Sequence, residues 1–78
     1  MKVRDFENRF EEQMIGEATY DPIIRHLAQM MILDPAGVDV VTESTVTDLI
    51  RKHYGISREA VDEALNKSLV EASEVYEW

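Results

Sequence analysis

Asp21-Pro22-Ile23-Ile24-Arg25-His26-Leu27-Ala28-Gln29-Met30-Met31-Ile32-Leu33 decides the fold, because after its opening Asp-Pro only Arg25, His26 and Gln29 interrupt an apolar surface. A helix with so little polar surface needs neighbours on most of its sides, so this segment is expected to be the buried, central element. Asp21 can cap free backbone N–H groups, and Pro22 fits the first helical turn, where its missing N–H has no partner to lose. Pro35 ends the segment by pushing the residue before it out of helical geometry.

On the N-terminal side, Val3, Phe6, Phe10 and Met14 recur at steps of three, four and four and share one helical face. Arg4, Glu7, Glu11 and Glu12 lie off that face, and Gly16 supplies a stop after Ile15. On the C-terminal side, Asp34-Pro35-Ala36-Gly37 reads as a turn and Val38, Val40 and Val41 as an extended, ordered loop packed by its valines. A single short β-rich stretch cannot make a sheet, so the fold stays helical. A third helix is expected to start near Thr42 or Ser44, with Val46, Leu49, Ile50 and Tyr54 inside and Gly55 at its end. Ser57 caps a fourth, with Glu59, Asp62 and Glu63 near its electropositive N-terminus. That helix meets no breaker before Glu77, a length of ~30 Å. Leu65, Leu69, Ala72 and Tyr76 set its inner face, flanked by Val61, Ala64 and Val75. The expectation is one all-α domain over residues 1–78: four helices, the third and fourth forming an angled, helix-turn-helix-like pair.

The segment Thr47–Leu65 resembles a helix-turn-helix unit over 19 of the 78 residues. Leu49 and Ile50 lie inside, Gly55 makes the turn, Ile56 follows, Ser57 caps, and Val61 and Leu65 point back. The resemblance implies a second helix that enters the DNA major groove. This chain departs from the pattern at Arg51, where a small residue usually lets the two helices cross. Its outward residues Arg58, Glu59, Asp62, Glu63 and Asn66 sum to −2, the wrong sign for approach to phosphate. The same residues are similar to a ubiquitin-associated type of three-helix module, with Ile56 in place of the usual aromatic. That likeness implies a break at Asn66-Lys67-Ser68 and a further helix after it.

Composition narrows the chemistry. The 78 residues include 16 acidic and 8 basic side chains, a net charge of −8, with 45% apolar residues, as expected of a globular chain. Residues 1–39 and 40–78 each carry four basic and eight acidic groups, so neither half offers a cationic arm for nucleic acid or an anionic membrane. There is no cysteine, which removes disulfides, thiolate zinc sites and a thiol nucleophile. The apolar run Met30–Leu33 is far short of a membrane span, no secretory leader is legible after Met1-Lys2-Val3-Arg4-Asp5, and a cytoplasmic location is expected.

His26 and His53 each stand alone in their helices, outside ligand spacing, and no metal or cofactor is expected. Asp34–Glu43 has a superficial likeness to a calcium loop but places Ala36 and Val38 where oxygen ligands belong. Gly16, Gly37 and Gly55 are too scattered to cradle phosphate, and the serines lack a nucleophile elbow. Four short helices leave little apolar wall for a pocket that would retune a carboxylate, so catalysis is not expected.

What remains is binding. Asp62, Glu63, Leu69, Glu71, Glu74, Val75, Tyr76, Glu77 and Trp78 interleave acids with apolar and aromatic groups on the last helix. Trp and Tyr are enriched among residues that dominate interfaces. These nine are the expected partner-binding residues of a small regulatory module, adaptor or inhibitor. Its partner would be a protein with a basic or apolar groove. Two other classes stay open: a helix-turn-helix nucleic-acid binder, electrostatically disfavoured, and a homo-oligomer, at its smallest a homodimer, built through the fourth helix.

Overall fold

The structure, a computed structural model, describes residues 3–75, with the side chains of Val3, Arg4 and Phe6 outside the description. Within it lie four helices and no strand: α1 (Val3–Ile15), α2 (Asp21–Leu33), α3 (Val40–Tyr54) and α4 (Arg58–Val75). Phe10, Met14, Ile23, Ile24, Leu27, Ala28, Val38, Val46, Ile50, Val61 and Leu65 form a single buried core. Every helix contributes to it, α2 the most, as its composition demands.

The helices pair in an unequal way. The most extensive contact is α4 on α2, followed by α1 on α3. The middle helices α2 and α3 touch each other, whereas the described backbones of α1 and α4 do not come together. The lining of two clefts fixes the sense of the α2–α4 pair. Asp21 and Arg25 stand beside Ala64, Lys67, Ser68 and Glu71, while Arg25 and Gln29 stand beside Ser68, Glu71, Ala72 and Val75. Numbering advances together on both, so α2 and α4 run the same way.

Three local expectations are corrected. The valine-rich stretch is not an extended loop. Helix α3 begins at Val40, ahead of Thr42 and Ser44, because the Asp39 carboxylate accepts a 2.8 Å hydrogen bond from the Thr42 N–H. An N-cap of this kind satisfies an otherwise orphaned donor and outweighs the β preference of the two valines behind it. Only Val38 packs inward; Val40 and Val41 are 81% and 62% exposed. At α2, Asp21 is the first helical residue rather than the cap, which falls to Tyr20 with no side-chain bond. The segment is also less enclosed than its composition suggests, with Arg25, Gln29 and Leu33 exposed.

Helix α4 runs unbroken through Asn66-Lys67-Ser68, which rules out the further helix that the ubiquitin-associated likeness implies. Its 18 described residues span ~27 Å. The Ser57 hydroxyl accepts from the Ala60 N–H at 3.2 Å, as a cap should. Gly55 closes α3 with φ 65°, a left-handed geometry that other residues adopt at a cost. Yet α3 and α4 meet only sparingly. Arg51 lies in the cleft between them, its Nε buried and without a hydrogen-bond partner, where a smaller residue would let the backbones close.

Candidate functional site

Helix geometry divides the expected partner-binding residues. At 100° per residue, Glu63, Val70 and Glu74 fall within about 40° of one line along α4. Leu69, Val70, Ser73 and Glu74 together line an open furrow drawn from this helix alone. Leu69 is half-buried against the core, and Val70 is 61% exposed. Asp62 and Glu63 are exposed about two turns before the furrow. Asp62 is engaged by Arg58, with Nε 3.8 Å from Oδ2, across a solvated surface where such a pair is worth under about 1 kcal/mol.

Glu71 and Val75 do not share that side. Both line the α2–α4 cleft, beside Arg25 and Gln29. Val75 is 76% exposed, so it does not seal the core. Tyr76, Glu77 and Trp78 lie outside the described residues. The structure therefore brings Glu63 and Glu74 onto one outward side, with Asp62 and the half-buried Leu69 at its flank. It sets Glu71 and Val75 apart and adds Val70. Val70 was legible in principle, since it stands seven positions after Glu63 and one after Leu69.

A second surface escaped sequence reasoning. Between α1 and α3 lies a shallow cleft of about 440 Å³ lined by Glu11, Met14, Ile15, Leu49, Lys52 and His53. Ile15 is 80% exposed beside Met14, which is 2% exposed. The α1 periodicity marks Met14 as inner and treats Ile15 as the helix end, so nothing in the pattern shows that α3 leaves it uncovered.

The histidines are engaged separately. His26 is half-buried, its Nδ1 2.6 Å from the Gln13 Oε1 and its ring stacked on Phe10 at 4.9 Å. Burial, with the nearby Arg9 charge, lowers its pKa below the ordinary 6.5. His53 is exposed and packs its ring edge against Tyr54 at 4.8 Å. Among the described residues no group of three His, Cys, Asp or Glu side chains is placed to hold a metal ion. No described helix is long and apolar enough to cross a membrane.

Comparison with protein-family models, with curated proteins and with solved structures finds no match.

Proposed function

We propose that this chain is a small acidic, non-enzymatic protein-binding module, an adaptor or inhibitor acting in the cytoplasm through its C-terminal helix. The observation that carries the reading is the outward side of α4. There the 61%-exposed Val70 and the half-buried Leu69 lie beside Ser73 and Glu74, with no second helix lining the furrow. An apolar centre with an acidic rim suits a partner groove that is apolar inside and basic at its edges. The chain's net charge of −8 favours such a partner at long range. Tyr76 and Trp78 follow on in sequence as further large apolar candidates for a contact.

Co-purification from native lysate, read by mass spectrometry, tests this with a paired variant, Val70→Lys with Glu74→Lys. Both positions are exposed, so circular dichroism should show an unchanged helical fold. Proteins retained by the wild type and lost from the folded variant are the expected result. An identical set retained by both, or none above background for either, would refute the reading.

A further inference from the structure

We infer that the α1–α3 cleft is the contact surface for a second copy of this chain. Two copies that meet anywhere on their general surface repel, since each carries −8. The α1–α3 cleft is a place where that objection is lifted and apolar area is also on offer. Its α1 wall carries Glu11 and its α3 wall carries Lys52, with Met14, Ile15 and Leu49 between them. One acid and one base on opposite walls of an apolar furrow form a self-complementary pattern. A two-fold arrangement sets each α1 wall against the other copy's α3 wall, so Glu11 faces Lys52 twice. Among the described residues neither Glu11 nor Lys52 has an ion-pair partner within 4.0 Å, so both are available. Ile15, at 80% exposure, gives each copy an apolar side chain to insert into the other's cleft. The dimer also adds burial to a domain whose own core is small.

This contact is independent of the α4 face. The α1–α3 cleft and the furrow of Leu69, Val70, Ser73 and Glu74 share no residue, so pairing through the cleft leaves that furrow free. The dimer then presents two partner-binding faces, and a bivalent target gains avidity without any new contact.

Sedimentation equilibrium over a wide concentration range, with three variants at exposed positions, tests the inference. The wild type is expected to move from one chain to two as concentration rises. Glu11→Lys alone and Lys52→Glu alone each replace two attractive pairs with two repulsive ones and should weaken association about tenfold or more. An equimolar mixture of the two variants restores opposite charges at both positions and should recover the two-chain mass. Ile15→Lys should abolish it without rescue by either. A wild type that stays a single chain throughout, single variants that pair as well as the wild type, or a mixture that stays unpaired would each overturn it. The α4 reading survives those outcomes, because its own test uses Val70 and Glu74.

Discussion

Between α2 and α4 the seam is lined on the α4 side by Ala64, Ser68 and Ala72, while between α1 and α3 the cleft holds Met14, Ile15 and Leu49. Small residues at steps of four let two helices approach along their length, and α2–α4 is accordingly the most extensive pairing in the fold. Of the two openings beside it, one is polar, bordered by Asp21, Arg25, Lys67 and Glu71, and the other is more apolar, bordered by Ala72 and Val75. Helices α1 and α3 make the second most extensive pairing and bury Met14, yet Ile15 and Leu49 leave apolar atoms on the open cleft beside it. Both pairs thus close along a seam, and the α1–α3 pair leaves a large exposed apolar side chain, Ile15, at its edge beside Lys52 and Glu11.

This contrast can be broken from either side. The largest effect should come from the core both pairs share. Ile24 is fully buried, and Ile24→Ala should cost about 2–5 kcal/mol by chemical denaturation. Ala28, fully buried on α2, has no room for a larger side chain, and Ala28→Leu should cost about 1–3 kcal/mol by the same measurement. Gly55→Ala forces a side chain into the left-handed region at φ 65° and should cost about 1 kcal/mol.

The α1–α2 contact at His26 gives a pH signature. With its folded pKa below the unfolded 6.5, the folded state binds the proton less readily than the unfolded chain does. Its stability contribution is present above 6.5 and is lost as pH falls from there through the lowered folded value. Denaturation midpoints measured at falling pH should decline over that window, and His26→Gln should flatten the decline. The smallest effect belongs to the furrow itself. Ile15→Ser removes an exposed side chain and should change the stability of the isolated monomer by under about 0.5 kcal/mol. A cost as large as that of Ala28→Leu would show that α3 covers Ile15 after all.

Much of the architecture is legible in short stretches of the chain. The α1 limits follow from Phe10 and Met14 with Gly16 behind them, and the α3–α4 junction follows from Gly55 and Ser57. These are local signals: a periodic face, a residue free to take φ > 0, a hydroxyl able to cap. Local signals failed at Asp21, which enters α2 rather than capping it, and where two signals competed. Val38, Val40 and Val41 favour extended chain, while Asp39 can cap a helix, and the cap prevailed.

Pairing was not legible, because it depends on contacts distant in sequence. The periodicity of α4 says that Val61 and Leu65 are buried, not that α2 covers them. For the same reason the sequence grouped Glu71 and Val75 with Glu74, although helix rotation and the position of α2 place them in a separate cleft. The exposure of Ile15 is likewise a property of the α1–α3 gap rather than of α1.

The claim that α4 meets a partner through its outward side is tested most directly by site-specific photo-crosslinking. A photoreactive residue placed at Val70 is compared with one at Asn8, exposed on α1. The account predicts a discrete cross-linked protein product from Val70 in native lysate and only background from Asn8. Equal background at both positions, with the helical fold intact, would contradict it.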